Sequence, residues 1–222
     1  QNIVGTYNLL EAIREQGAVD LLVFTSTSTV YGEASVIPTP ETYAPLKPIS
    51  NYGASKLAAE ALICSYSSLY GFRSVIYRMA NVVGPRSGHG VIYDFAEKLK
   101  RNPNELEVLG DGTQSKSYLF VDDCITGMIL GAVHAKATVE ILNIGSEDRV
   151  SVLEIASIVI EEMGLKDVEV ELTGGVDGGR GWKGDVKLMQ LDMSKLRSFG
   201  WSPLFSSTEA VRLTAISLVK ER

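Results

Sequence analysis

An α/β fold with a parallel sheet is what the 222-residue sequence predicts, on three observations. Short apolar runs rich in β-branched residues recur along the chain, helical periodicities fill the intervals, and small or polar residues follow the end of each run. NIVGTYNLLEAIREQG opens the chain with Ile3, Val4, Tyr7, Leu10 and Ile13 at helical spacing, and Gly17 suits the C-terminal cap. LLVFTS, residues 21–26, is a short apolar run of the kind expected for a parallel strand buried on both faces, and it leads into TSTSTVYG. Pro38, Pro40, Pro45 and Pro48 make the next stretch an irregular surface loop. SNYGASKLAAEALICSY then reads as a helix that lasts to Gly71. SVIYRMANVVGP is a second β-branched run and EILNIG a third, with helical patterns over residues 91–101, 123–134 and 152–163. Beyond Val168, VEVELT alternates as an exposed antiparallel strand would, and GGVDGGRGW reads as a glycine-rich loop, so a smaller second lobe is expected there.

Composition narrows the function. A formal net charge of -6, with 21 Lys+Arg scattered along the chain, forms no basic stripe and predicts no nucleic-acid partner. No apolar run approaches the ~20 residues of a membrane span, and no signal-peptide pattern opens the chain, so no membrane association and a cytoplasmic location are expected. Cys64 and Cys124 have no metal-clip spacing and read as free thiols. His89 and His134 lack surrounding carboxylates or cysteines, and no metal is expected.

In open parallel sheets, ligands bind beyond the carboxyl ends of the strands. Those ends are residues 25–32, 81–86 and 143–146. Close by, Tyr52 and Lys56 stand four apart on a helix and therefore share a face. A phenol titrates near ~10 in water, and neighbouring cations favour its phenolate, which makes such a tyrosine a candidate general base. Alone, the spacing is a weak signal, more often that of an exposed tyrosine beside a solvated lysine. Thr27, at a strand end, could hydrogen-bond the same substrate oxygen as Tyr52, whereas Ser26, Ser28 and Thr29 by themselves read as strand-capping residues.

With these pieces in place, the chain resembles the extended short-chain dehydrogenase/reductases that act on nucleotide sugars, and most nearly UDP-glucose 4-epimerases of archaeal type. The resemblance rests on NIVGTYNLLEA, TSTSTVYG, NYGASK, RMANVVGPR, GDGTQSKSYLFVDD, LNIGS and RGWKGDV, followed by LDMSKL and GW, and it covers essentially all 222 residues. It implies a Rossmann-like doubly wound sheet with a smaller substrate lobe. Residues 1–85 would be part of the dinucleotide-binding domain, with 122–145 returning to it, and 86–121 and 146–222 the nucleotide-sugar lobe. It implies NAD as cofactor and epimerisation at C4 of a UDP-sugar, with Tyr52 as base, Lys56 holding the nicotinamide ribose and lowering the tyrosine pKa, and Thr27 orienting the sugar hydroxyl. Asn2, Thr25 and Ser26 would lie beside the cofactor. Asn81, Lys116 and Arg180 would lie near the diphosphate, and Glu107 and Leu109 where backbone cradles the uracil. A homodimer through the helices at residues 2–15 and 52–70 is also implied.

Departures from related patterns choose among reactions. The 4,6-dehydratases place an acidic pair after the threonine, where Ser28 and Thr29 stand here, and the related decarboxylases usually carry a glutamate at the position of Thr29. Epimerisation is therefore favoured. A formal glycine fingerprint at Gly175, Gly178 and Gly181 follows a charged alternating segment and precedes WKGDV, so it is a decoy for dinucleotide binding. The family's glycine loop would precede Gln1, and the sequence reads as a fragment that by itself binds NAD weakly or not at all. The rival readings are a non-catalytic nucleotide-sugar-binding or interaction module, and another epimerase or a reductase on the same scaffold.

Overall fold

The computed structural model describes residues 1–220. In chain order the elements are α1 (Asn2–Gln16), β1 (Leu21–Thr27), a 3-10 turn (Ser28–Tyr31), α2 (Asn51–Tyr70), β2 (Arg73–Met79), β3 (Asn81–Val83) and α3 (Val91–Arg101). There follow β4 (Glu105–Val108), β5 (Ser115–Lys116), β6 (Tyr118–Phe120), α4 (Val121–His134), β7 (Val139–Ile144), β8 (Val150–Ser151) and α5 (Val152–Glu162). The chain closes with β9 (Glu169–Leu172), β10 (Leu188–Met189), α6 (Ser194–Arg197) and α7 (Ser207–Lys220). It divides into two compact units, one of Gln1–Met79, Ile125–Ile144 and Leu191–Ser202, the other of Ala80–Cys124, Gly145–Gln190 and Pro203–Arg222. The stretch Leu191–Ser202 thus belongs to the first unit, although the sequence reading assigned all of 146–222 to the lobe. The physical reason is that Asn143 Nδ2 donates to the Asp192 carbonyl at 3.0 Å and Lys195 Nζ to the Ile141 carbonyl at 2.8 Å, tying the stretch to β7.

The first unit is built on a parallel sheet ordered β1-β2-β7, with Leu21 to Thr27 in register with Arg73 to Met79. Helices α1 and α2 pack together, and Leu10, Ile13, Ile63, Phe72 and Ile76 form their shared core. Both helices stop where glycine can take the left-handed conformation that closes a helix, Gly17 at φ 61° and Gly71 at φ 78°. Two expectations fail here. Only the end of β1 is buried, and Val23 keeps 40% of its surface exposed, because β1 is the sheet's edge and pairs with β2 alone among the described residues. On α1, Ile3, Val4 and Tyr7 are exposed, so the buried stripe reduces to Leu10 and Ile13.

The second unit has its core where α3, α5 and α7 meet β4. Phe95, Leu99, Leu106, Val108, Ile155, Val159 and Val211 are all nearly inaccessible, each contributing about 1.5–3 kcal/mol by leaving water. A reciprocal capping box starts α5, where Ser151 Oγ accepts from the Glu154 backbone and the Glu154 carboxylate accepts from the Ser151 backbone. The run SVIYRMANVVGP does not stay one strand: it breaks at Ala80, β2 joining the first sheet and β3 pairing with β6. VEVELT is exposed as expected, yet β9 pairs with β4 parallel rather than antiparallel. Alternation reports that one strand face meets water and carries no information on direction. The connection from β4 to β9 runs through α4, α5 and the strands β5 to β8, and a connection that long permits parallel pairing.

Candidate functional site

The start of α2 is laid closely against the end of β1 and the turn that follows. Ser50 Oγ accepts from the Gly53 N–H at 3.1 Å and caps the helix. A side chain at Gly53 would bring its Cβ within 2.8 Å of the Thr29 carbonyl oxygen, so only glycine allows this approach. One residue earlier, Tyr52 is 51% exposed. One turn later, Lys56 Nζ donates to the Thr25 carbonyl at 2.7 Å and lies 4.7 Å above the Phe24 ring. Burial pushes the Lys56 ammonium below the ordinary lysine range, and the Glu60 carboxylate partly opposes that.

Thr27 ends β1 and caps the 3-10 turn: its Oγ1 accepts from the Thr29 N–H at 3.2 Å and lies 3.1 Å from Thr29 Oγ1. Asn2 reaches the same helix from α1. Its Nδ2 donates to Ser55 Oγ at 2.9 Å, and that hydroxyl donates to the Tyr52 carbonyl at 2.8 Å. Asn2 and Thr25 are therefore each tied to the first turns of α2, Asn2 through Ser55 to Tyr52 and Thr25 through Lys56, with Thr27 two residues along the strand from Thr25. Ser26 differs from its neighbours. It is buried, and its hydroxyl donates to Glu60.

The second unit contains a cavity of about 370 Å³. Glu107, Leu109 and Lys116 line it, as do Gln114, Trp182 and Asp185. Lys116 Nζ is 2.5 Å from Asp185 Oδ1 and 5.2 Å from the Trp182 ring centroid, which puts a cation and an aromatic face on one wall. Gln114 Nε2 donates to the carbonyls of Leu109 at 3.2 Å and Gly179 at 3.4 Å, joining the β4–β5 connection to the glycine-rich loop. Asn81 and Arg180 are not among the lining residues. The Asn81 amide donates to the Ser117 carbonyl at 3.4 Å, and Arg180 Nη1 donates to the Asp185 carbonyl at 3.0 Å. No helix starts directly after Gly175, Gly178 and Gly181, and the loop closes on itself through Val176 and Arg180. Among the described residues, no group of three or more His, Cys, Asp or Glu could hold a metal ion, and no helix is long and apolar enough to cross a membrane.

Sequence reasoning passed over Asp185, Trp182 and Gln114 as individual residues, although all three lie inside motifs it had marked. It also passed over Glu60, whose signal was available. Tyr52, Lys56 and Glu60 succeed one another at intervals of four on one helix face.

Parallel strands whose carboxyl ends are met by a Tyr-x-x-x-Lys helix define a Rossmann-type protein of the short-chain dehydrogenase/reductase build. More particularly, the chain belongs to the NAD dependent epimerase/dehydratase family, whose model matches residues 1–145. It is 34% identical over 216 residues to a protein of Methanocaldococcus jannaschii provisionally named a UDP-glucose 4-epimerase, a match covering 95% of this chain and 67% of that protein. A crystal structure of UDP-galactose 4-epimerase superposes with a TM-score of 0.88 at 47% identity, over 99% of this chain and 69% of the other. The UDP-glucuronic acid 4-epimerase of Bacillus cereus, in complex with UDP-glucuronic acid and NAD, superposes at 0.86 with 30% identity, over 100% of this chain and 68% of the other. The chain thus spans about two thirds of the length of these relatives.

Proposed function

We propose that the protein carrying this chain is an NAD-dependent epimerase acting at C4 of a nucleotide sugar, with UDP-glucose and UDP-galactose as the pair interconverted. The carrying observation is the clamp of α2 on residues 25–29, which sets Tyr52 and Lys56 one turn apart at the strand end occupied by Thr27. Its donor set fits a nicotinamide nucleotide. Lys56 commits one N–H to the Thr25 carbonyl and keeps two for the vicinal hydroxyls of a ribose. When bound, NAD supplies a hydride acceptor at C4 that gives the hydride back to the opposite face of the sugar, so no net oxidation results.

The chain's own groups handle the proton. Tyr52 takes the proton of the sugar 4-OH while the C4 hydrogen leaves as hydride, and it returns that proton when the ketone is reduced. Thr27 hydrogen-bonds the same oxygen and orients it. Asn2 acts through Ser55 to fix the turn of helix that carries Tyr52, and Thr25 presents the carbonyl that anchors Lys56. In this reading the first unit serves the cofactor and the second the nucleotide sugar. Glu107 and Leu109 border the base, Lys116 meets the diphosphate, and Asn81 and Arg180 support that wall.

A homodimer through α1 and α2 belongs to the proposal, supported by exposed Ile3, Val4 and Tyr7 on the one and Leu69 and Tyr70 on the other. The free thiols Cys64 and Cys124 accord with a cytoplasmic setting. Incubation with NAD and UDP-galactose, followed by chromatography, tests the reaction. UDP-glucose should form, and Tyr52→Phe should abolish its formation while UDP still binds. Turnover of Tyr52→Phe at the parent rate would refute the assignment.

A further inference from the structure

Glu60 and Arg78 are 3% and 4% exposed, and no step of the proposed proton transfer uses them. Arg78 grips Glu60 with both Nε, at 3.2 Å to each oxygen, and Nη2, at 2.7 Å to Oε2. Glu60 also accepts from the Ser26 hydroxyl. Arg78 Nη1 continues to the Tyr31 hydroxyl at 3.2 Å and the Glu41 carbonyl at 3.3 Å, and Tyr31 donates to Asn143 Oδ1 at 2.7 Å. One network therefore spans α2, the ends of β1, β2 and β7, and the turn after β1.

Burying an ion pair adds little stability by itself, since apolar residues of the same volume do as well or better. What a bidentate pair adds is geometry, because its bonds survive only within a few tenths of an ångström. The neighbouring contacts need that tolerance. Successive turns of α2 touch the end of β1 and the turn after it: Glu60 binds the Ser26 hydroxyl, Lys56 the Thr25 carbonyl, and Gly53 sits against Thr29. A slip of α2 by one residue, about 1.5 Å, would break all three.

We propose that the Glu60–Arg78 pair is a positioning device for the Tyr52–Lys56 face, holding α2 in register so that the Lys56 ammonium stays on the Thr25 carbonyl beside Thr27. The proposal rests on Tyr52 and Lys56 being the reacting pair, but its test requires no turnover, so failure of the epimerase assay and failure of this inference are separate results.

The test is the pH dependence of Lys56 acetylation by limiting acetic anhydride, read by peptide mass spectrometry in the parent and in Glu60→Met/Arg78→Met. In the parent, Lys56 is held against Phe24 and the Thr25 carbonyl, with Glu60 as the charged neighbour acting on it. Release into solvent raises the midpoint toward the ordinary lysine value of about 10.4. Loss of the Glu60 charge without movement lowers it, because an opposite charge has been removed. The proposal expects a rise. A midpoint that is unchanged or falls, in a variant with the parent's circular dichroism, overturns it. Should the double variant lack that spectrum, Arg78→Lys takes its place, with the same rise expected. It keeps both charges but not the bidentate geometry, so an unchanged midpoint there overturns the proposal.

Discussion

Removing Arg78 alone should be among the most damaging single changes in the first unit. Arg78→Met deletes the donors from Nε and Nη2 that reach Glu60 and leaves that carboxylate, 3% exposed, with the Ser26 hydroxyl in their stead. Breaking a buried pair on one side costs about 3–5 kcal/mol. At roughly 2–4 °C per kcal/mol for a chain of this size, the unfolding midpoint should drop by about 6–20 °C. Glu60→Met should be similarly costly, since it strands the guanidinium. The double variant strands neither charge and should lie within about 1–2 kcal/mol of the parent, giving a coupling energy well above 2 kcal/mol. Urea unfolding of the four proteins, followed by circular dichroism, measures the cycle. Single-variant losses that simply add in the double variant would refute the claim that the two charges are held for each other.

Tyr31 offers a test at alkaline pH. Burial pushes its phenol up to about 12, against an ordinary value of 10. A raised folded-state value means that the stabilisation is fully present below about 10 and is lost as pH climbs through 12. Tyr31→Phe should flatten the fall in stability across that window, at the cost of leaving Asn143 Oδ1 without its donor; an unaltered alkaline slope would contradict this. Gly127→Ala should destabilise by about 1–3 kcal/mol although alanine favours helices, because the added Cβ would stand 2.6 Å from Ile144 Cδ1 and 2.9 Å from the Trp201 indole. A higher urea midpoint would show that the packing yields. Lys116→Gln should weaken UDP binding by about tenfold or more, the scale of one charge-assisted hydrogen bond. Calorimetric titration at unchanged affinity would remove Lys116 from the anion's contacts.

The second unit has its own arrangement for holding a cation. Lys116 is pinned by Asp185, whose Oδ2 also accepts from the Gly181 N–H at 3.3 Å, while Lys187 ties the glycine-rich loop through Asp111 and the Gly178 carbonyl. Lys187 and Thr113 hold the Asp111 carboxyl well below the usual carboxylate range. That contribution is present above the ordinary carboxylate pKa and fades as the pH falls through the depressed value. The loop bearing Trp182 is therefore fixed from several sides, although glycine is frequent in it.

Local signals determined the boundaries of the longer helices from sequence alone. The 3.6-residue period delimited α3 at Val91–Arg101, and Gly17 and Gly71 ended α1 and α2, because periodicity and caps are set by residues within a few positions of one another. The same locality made Tyr52, Lys56 and Thr27 candidates, through their placement on one helix face and one strand end. Tertiary structure alone decided that β9 lies parallel to β4, that Ala80 divides one apolar run between two sheets, and that Arg180 lies outside the cavity lined by Lys116. It also decided that Glu60, read as one more helix residue, closes on Arg78. Such pairings join residues 18 and 69 positions apart in the cases of Glu60–Arg78 and Lys116–Asp185, and each charge is held by its partner rather than by anything nearby in sequence. A one-dimensional pattern records which face of an element is apolar, but which partner covers it is fixed only when the chain packs.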